Sequence, residues 1–300
     1  MTRSDEIFHD GERAVQDRAG VPQDWRDRAA RAIRPAMPAQ HQRFVENLPL
    51  LFLGLQDGQG RPWASVSPLA AGARATAAQL SLDGLPVLAD RLGLDLRPGA
   101  RAAVLGLDFA TRRRNRVNGT IAAATGEALT IAVEQSYGNC PKYIRRRDIR
   151  LPAGALPAAA ATRIAADDAA ARRIILSADT FFIATCARGG ADVSHRGGPP
   201  GVLRPNADGA LCFPDYAGNR YFNTLGNITA SGRAGLLIPD FASGAAILLT
   251  GRARINWSAA RTAEVDGAER IVEIRPDEIW HARGVFPGGA FTGAAVRGKS

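Results

Sequence analysis

A run of polar residues after an apolar strand could bind an anion. The segment Phe213–Asn227 reads Phe-Pro-Asp-Tyr-Ala-Gly-Asn-Arg-Tyr-Phe-Asn-Thr-Leu-Gly-Asn. Asn223 and Asn227 are four residues apart and share one face of a helix, and Asn219 and Arg220 precede its first turn. Backbone N–H groups, a guanidinium and amides at a helix N-terminus favour a phosphate. A capped helix with an exposed arginine has the same spacing, so spacing alone leaves both interpretations open.

A second polar stretch, Ser194-His195-Arg196-Gly197-Gly198, leaves an apolar strand and enters a Gly/Pro loop. The hydroxyl, imidazole and guanidinium lie beside glycines that allow a backbone to approach a ligand closely. Taken alone, the stretch fits an ordinary β-turn with surface polar residues better than a binding site.

The charge of the chain favours anionic partners. The net charge is +9, and of the 38 basic residues only Lys142 and Lys299 are lysines. The planar fork of arginine suits phosphate oxygens, so a phosphate-bearing cofactor, nucleic acid or an acidic substrate would fit. Nucleic-acid binding favours basic stripes with interleaved aromatic residues, and only 6% of the residues are aromatic. A nucleic-acid partner is therefore not expected.

The sequence gives no sign of a metal site or of a membrane protein. The three cysteines and four histidines are scattered, without metal-ligand spacing or a disulfide framework. No apolar run approaches the roughly 18 residues of a membrane span, and the N-terminus lacks the pattern of a secretory signal. We therefore expect a cytoplasmic protein without membrane contact.

An internal repeat indicates that a β unit was duplicated. Residues 100–119 match residues 232–251 at a shift of 132, as in the pair Phe109 and Phe241. Upstream, an apolar strand before a glycine turn and Ser65 matches one before Ser194, at a shift of 129. Self-similarity over two strand pairs predicts two copies of one fold, with a ligand site between them. Many short strands with glycine turns favour barrels over a parallel sheet.

The order of these patterns divides the chain into five parts. They are an N-terminal helical extension (1–47), a first half (48–150), a linker and connecting helix (151–178), a second half (179–283) and a flexible tail (284–300). The predicted strands of the halves are Leu50–Leu55, Trp63–Val66, Ala100–Leu107, Val117–Thr125, Leu129–Glu134, Phe181–Cys186, Asp192–His195, Leu211–Pro214, Arg233–Ile238, Ala246–Arg254 and Arg270–Ile274. We also predict helices at Ala158–Leu176 and from about Tyr221, and a helical turn at Pro141–Arg147.

The two polar stretches resemble those of the pyridoxamine 5'-phosphate oxidase-like family of split-barrel flavin-binding proteins. The similar branch is that of predicted flavin-nucleotide-binding proteins. Further motifs of that branch match Phe8–Gln16, Gly60–Val66, Arg112–Gly119 and Gln135–Ile144. The resemblance extends over nearly the whole chain, to about Arg283.

The resemblance implies a mainly β protein with flanking helices (α+β) that consists of two tandem split β-barrel halves. It implies noncovalent FMN, a small-molecule redox substrate, oxidoreductase activity and a homodimer. Because the flavin performs the redox chemistry, no catalytic side chain needs to stand out, and His195 is a candidate proton relay. No equivalent of the oxidases' C-terminal Arg/Trp segment follows Trp280-His281, so the substrate is not predicted.

The resemblance also implies the cofactor-binding residues. Gly218-Asn219-Arg220 would hold the FMN phosphate, and the Ser194–Gly198 backbone would lie along the isoalloxazine edge or the ribityl chain. Residues from across the interface would be Arg116, Asn118, Gln135, Tyr137 and Lys142. The remaining expected contacts are Ser194, His195, Arg196, Gly197, Gly198, Pro214, Asp215, Tyr216, Asn219, Arg220, Asn223, Thr224 and Asn227.

Three alternatives remain open at this point. The same fold could serve a flavin carrier, storage or sensor protein without turnover. It could bind haem or a deazaflavin in place of FMN. A nucleic-acid-binding barrel is the alternative from another class, and it would bind with a steep salt dependence and without yellow colour.

Overall fold

A computed structural model describes residues 3–69, 72–149 and 158–286, together with the backbone of 291–293. The helices are α1 Arg3–Ile7, α2 Asp10–Arg18, α3 Gln23–Ala32, α4 Ala39–Glu46, α5 Ala89–Leu92, α6 Ala169–Ser177, α7 Asn223–Ser231 and α8 Ala259–Thr262. The strands are β1 Leu50–Gln56, β2 Pro62–Pro68, β3 Ala73–Ala75, β4 Gln79–Asp83, β5 Arg101–Asp108, β6 Arg113–Ala124, β7 Ala128–Gly138, β8 Arg147–Ile149, β9 Ala160–Arg163, β10 Thr180–Ala187, β11 Gly190–Gly197, β12 Arg204–Pro205, β13 Leu211–Tyr216, β14 Arg233–Asp240, β15 Ala245–Asn256, β16 Ala268–Arg283 and β17 Phe291–Gly293.

Two antiparallel sheets have the same strand order. The first runs β2-β1-β5-β6-β7-β4-β3 and the second β11-β10-β14-β15-β16-β13-β12, so each strand of one has a counterpart in the other. The turn after β5 and the turn after β14 also match, because Asp108 and Asp240 each accept hydrogen bonds from the backbone N–H groups two and three residues later. The predicted mainly β fold with tandem halves is confirmed.

The halves pack on each other around one pair of equivalent residues. Phe52 lies opposite Leu105 in its sheet, and Phe182 lies opposite Leu237. The two phenylalanine rings stack with their centroids 3.5 Å apart and their planes 14° apart. The backbones approach closely nearby, since a Cβ on Gly235 would lie 2.2 Å from the Pro62 carbonyl oxygen. The halves of one chain are thus arranged about a local twofold axis.

The N-terminal helix α2 packs against α7 of the second half. A Cβ on Gly11 would lie 2.3 Å from the carbonyl oxygen of Gly226, so only glycine permits this contact. A capping box starts α2, in which the His9 Nδ1 accepts from the Gly11 N–H and the Glu12 carboxylate accepts from the His9 N–H. The N-terminal extension therefore supports the second half.

Two helix predictions were wrong. Residues 141–147 form a turn rather than a helix, because Tyr143 takes a left-handed conformation with φ of 65°. The Ala-rich stretch at 158–176 is strand β9 followed by α6, which starts late because the Asp168 carboxylate caps the Ala171 N–H. Strand β9 forms because it adds to one edge of β16.

The strand bounds also differ in places. Strand β16 runs well past the predicted Arg270–Ile274, because its second part pairs with both β15 and β9. The predicted linker at 151–157 and most of the predicted tail lie outside the described residues, and the described part of the tail pairs with β8. No helix in the described ranges is both long enough and apolar enough to cross a bilayer.

Candidate functional site

A cleft lies between the halves and contains about 870 Å³ of empty space that includes some open solvent. The second half contributes β11, the end of β13 and the start of α7, and the first half contributes β6 and the chain after β7. The residues of the cleft that the sequence predicted are Arg116, Lys142, Ser194, His195, Arg196, Gly197, Pro214, Asp215, Tyr216, Asn219, Arg220, Asn223 and Thr224. Distant parts of the chain therefore meet in one site within a single chain.

The other predicted residues lie outside this cleft. Asn118, Gln135 and Asn227 line a smaller polar cavity, together with His9 and Glu12 of the N-terminal extension. Tyr137 is buried and donates from its hydroxyl to Asn223 Oδ1 at 3.2 Å. The Gly198 carbonyl accepts from Arg145 Nε at 3.2 Å. The cross-interface set is thus divided between two cavities.

A buried polar network forms the wall of the cleft. Arg116 donates to the Asp192 carboxylate and to the Ser194 hydroxyl. Ser194 and Thr224 also donate to Asp192, at 2.9 Å and 2.7 Å. Breaking a buried ion pair leaves an unpaired charge, so each member fixes the others. The network joins β6 of the first half to β11 and α7 of the second.

The network continues into the N-terminal helix through Asn223. The Asn223 amide nitrogen donates to Glu12 Oε1 at 2.5 Å, and its carbonyl oxygen accepts from Arg116 at 3.2 Å. Burial is the largest cause that raises the pKa of Glu12, to about 8, and the nearby Asp192 contributes in the same direction. Glu12 therefore links the helical extension to the site.

Three cations of the cleft have no acidic partner. Arg196 pairs with Asp215 at 2.6 Å, but Arg114, Lys142 and Arg220 form no ion pair among the described residues. Burial, and then the charges of Arg116 and Arg196, lower the pKa of Arg114 to about 9. This pKa still leaves the guanidinium protonated at neutral pH. The cleft therefore holds positive charge that an anion would compensate.

The backbone at the mouth of the cleft also favours an anion. Helix α7 starts at Asn223 without a side-chain cap, and its first-turn residues line the cleft. Uncapped N–H groups at a helix N-terminus attract negative charge. Tyr143, Arg220 and Phe222 have φ values of 65°, 54° and 63°, which cost about 1–3 kcal/mol each and cluster at functional sites.

His195 contributes to the wall, but its ring lies in an apolar setting. Its centroid is 5.8 Å from that of Phe182 and 6.5 Å from that of Phe109. Successive strand residues face opposite sides, so the ring points away from the side of Ser194. Burial, reinforced by nearby arginines, lowers the pKa of His195 well below its usual value and keeps the imidazole neutral.

Sequence reasoning missed Arg114, Asp192 and Glu12. Arg114 is two residues before Arg116 on β6, and Asp192 is two before Ser194 on β11, so the period of a strand could have placed each beside its neighbour. For Glu12 the only local signal is the capping box with His9. In the described ranges no group of three His, Cys, Asp or Glu side chains could hold a metal ion.

Comparison with known proteins identifies the second half. Residues 167–283 match the family described as Pyridoxamine 5'-phosphate oxidase. A search of curated proteins gives no match. Similar solved structures include HupZ of Group A Streptococcus (14% identity, 37% of this chain and 89% of that chain, TM-score 0.31), General Stress Protein 26 of Bacillus anthracis (13% identity, 41% and 95%, TM-score 0.31) and a NimC/NimA family protein of Clostridium acetobutylicum (11% identity, 37% and 91%, TM-score 0.28).

The fold and the cleft define a tandem split-barrel protein with a positively charged pocket between its halves. Its second half belongs to the pyridoxamine 5'-phosphate oxidase-like family. The first half has the same strand order, so the whole chain consists of two copies of that fold.

Proposed function

We propose that the cleft binds FMN noncovalently and that the protein is an FMN-dependent oxidoreductase acting on a small molecule. The observation that carries the proposal is the concentration of uncompensated positive charge beside the uncapped start of α7. A phosphate monoester carries about −1.5 to −2 charges at neutral pH and fits such a place.

The cleft also offers a surface for the remainder of the cofactor. Tyr143 and Tyr216 stack with centroids 5.2 Å apart along one wall, which gives an aromatic surface for a planar ring. We assign the phosphate end to Arg220 and the start of α7, and the ring system to the region between the tyrosines and Ser194.

In this proposal the residues of the chain bind and orient, and the flavin supplies hydride or electron transfer when bound. The Arg116–Asp192 network holds the two halves at a fixed distance across the cleft. His195 is buried beside Phe182, and burial and nearby arginines hold its pKa well below the usual value, so the proton-relay role considered above gains no support.

The site forms within one chain, so the proposed binding does not require the homodimer that the resemblance implies. Size-exclusion chromatography with light scattering tests the dimer separately. The cytoplasmic location stays a prediction. A flavin carrier would bind FMN without oxidising NAD(P)H or reducing an acceptor, so turnover assays separate carrier from enzyme. The absorption spectrum separates FMN from haem and deazaflavin.

Titration of the protein with FMN and with riboflavin, which lacks the phosphate, tests the proposal. Arg220→Ala should weaken FMN binding by about tenfold or more, because a charge-assisted contact is lost, and should leave riboflavin binding unchanged. The matched control is Arg112→Ala, since Arg112 is also a left-handed arginine (φ 59°) but is exposed and outside the cleft. A parent protein that binds no FMN would refute the proposal.

A further inference from the structure

We propose that the cleft contains a second oxyanion subsite, built around Arg114 of the first half, which holds the carboxylate or phosphate of an anionic substrate. This inference rests on the proposed binding of FMN, because it assigns the cofactor phosphate to Arg220 and the start of α7, on the second-half side of the cleft.

The Arg114 guanidinium makes fewer hydrogen bonds within the described part of the chain than its five N–H groups allow. Among the described residues its Nε is buried without a hydrogen-bond partner, and its side chain makes one hydrogen bond, a 3.5 Å donation from a terminal nitrogen to the His195 carbonyl. Unpaired buried polar groups are rare in folded proteins, and a guanidinium can donate two parallel bonds to an oxyanion.

Arg114 and Arg220 lie on different sides of the cleft, since β6 of the first half carries one and the segment before α7 of the second half carries the other. Arg114 donates to the His195 carbonyl, and the next residue, Arg196, pairs with Asp215 at 2.6 Å. Asp215 also contacts Arg270, which lies over the ring of Phe222, two residues after Arg220. Lys142 adds a further cation from the first half.

The charges of the cleft exceed what one cofactor phosphate can neutralise. Three cations without a partner, Arg114, Lys142 and Arg220, carry three positive charges. The FMN phosphate supplies about two negative charges at most. About one positive charge remains on the first-half side, which suits a substrate with a carboxylate or a phosphate ester.

The test uses the FMN-loaded protein and follows the visible flavin spectrum. Acetate and inorganic phosphate are titrated separately at constant ionic strength set with chloride, so that the two oxyanion chemistries are compared. We expect a saturable spectral change with at least one of them. Arg114→Gln should weaken that binding about tenfold or more, and Arg114→Lys should weaken it less because it keeps the charge.

The matched control is Arg113→Gln, because Arg113 is the neighbour of Arg114 on β6, is exposed and lies over the ring of Phe44. It should leave anion binding unchanged. The ratio of FMN to riboflavin affinity should fall in Arg220→Ala and stay unchanged in Arg114→Gln.

Two results would overturn the inference while the FMN proposal stands. One is a fall of the FMN-to-riboflavin ratio in Arg114→Gln, which would assign Arg114 to the cofactor phosphate. The other is the absence of any saturable response to either anion. If the parent protein binds no flavin, the proposed function fails, and calorimetry with inorganic phosphate on the cofactor-free protein decides the subsite alone. Equal phosphate binding by Arg114→Gln and Arg113→Gln would then refute it.

Discussion

The two halves share a fold but differ at the positions that form the cleft. Arg116 of β6 lies opposite Leu105 of β5 and Tyr137 of β7. Its counterpart in the second half is Leu248 of β15, which lies opposite Leu237 and Trp280. On β11, Asp192 is two residues before Ser194, and its counterpart on β2 is Trp63, two before Ser65. The buried ion pair of Arg116 and Asp192 in the cleft therefore corresponds to two apolar residues, Leu248 and Trp63, in the region equivalent to the cleft.

Two tryptophan side chains lie in the region related to the cleft by the local twofold axis. Trp63 is fully buried and donates from its indole to Asp57 at 3.1 Å, and Trp280 donates to Glu278 at 2.7 Å. Arg61 bridges both carboxylates. Two indole side chains thus lie where the cleft has Asp192 and Tyr137, and the acids beside them are paired with a cation.

The helices beside the two regions, α7 and α5, start alike but differ in length. Helix α7 follows left-handed Phe222 and ends at Gly232, and α5 follows left-handed Leu88 and ends at Gly93. The first has nine residues and the second four. Replacing a buried ion pair by apolar residues often leaves stability unchanged or improves it. We infer that the ion pair of Arg116 and Asp192 is present in the cleft because it serves binding, and not because it stabilises the fold.

The largest effect should come from removing the acid of the buried ion pair and leaving its cation in place. Asp192→Leu leaves Arg116 buried without its carboxylate, and we expect the free energy of unfolding to fall by about 3–5 kcal/mol. The double variant Arg116→Leu with Asp192→Leu should recover at least half of that loss, because no charge is left unpaired. Urea denaturation of the parent, of the single variants Asp192→Leu and Arg116→Leu, and of the double variant measures these values. Additive losses would contradict the comparison.

An intermediate effect should come from Glu12, whose carboxylate accepts from Asn223 at the start of α7. Its pKa rises from 4.5 to about 8 on folding, so the folded protein binds more protons between these values, and stability falls as pH rises through that window. Glu12→Gln should reduce this fall by on the order of 1–3 kcal/mol between pH 5 and 8. Denaturation at several pH values tests it, with exposed Glu6→Gln as the control. An unchanged slope in Glu12→Gln would contradict the assignment.

The smallest effect concerns the place where the halves remain equivalent. Phe52→Leu and Phe182→Leu should reduce stability by similar amounts, because the two rings contact each other from equivalent positions. A double-mutant cycle should give a coupling energy of about 0.5–1.5 kcal/mol. Clearly unequal single losses would show that the asymmetry of the cleft extends to the axis.

The repeat could be predicted from the sequence because apolar strands and glycine turns leave local patterns. The shift of 132 corresponds to strand pairs in the same register, Leu105 with Arg116 and Leu237 with Leu248. The shift of 129 relates Ser65 to Ser194, which lie opposite Leu53 and Ile183. The relation between α5 and α7 was missed. Helix α7 was recognised by Asn223 and Asn227, and the four-residue α5 contains no asparagine.

The site was predicted only in part, because its key contacts join distant segments. Glu12 and Asn223 are 211 residues apart, and Arg116 and Asp192 are 76 apart. No local period reports such pairs. The separation of Asn118, Gln135 and Asn227 into another cavity likewise depends on how the network of Arg116 divides the space.

The covalent link between the halves has a genetic consequence. In a dimer of identical chains the two equivalent positions would be the same residue. A mutation of that residue to tryptophan would remove the acid from both subunits at once. In this chain Trp63 and Asp192 are encoded by separate codons. A mutation could therefore place a tryptophan at one of the two equivalent positions and leave the acid at the other, which is impossible in a dimer of identical chains.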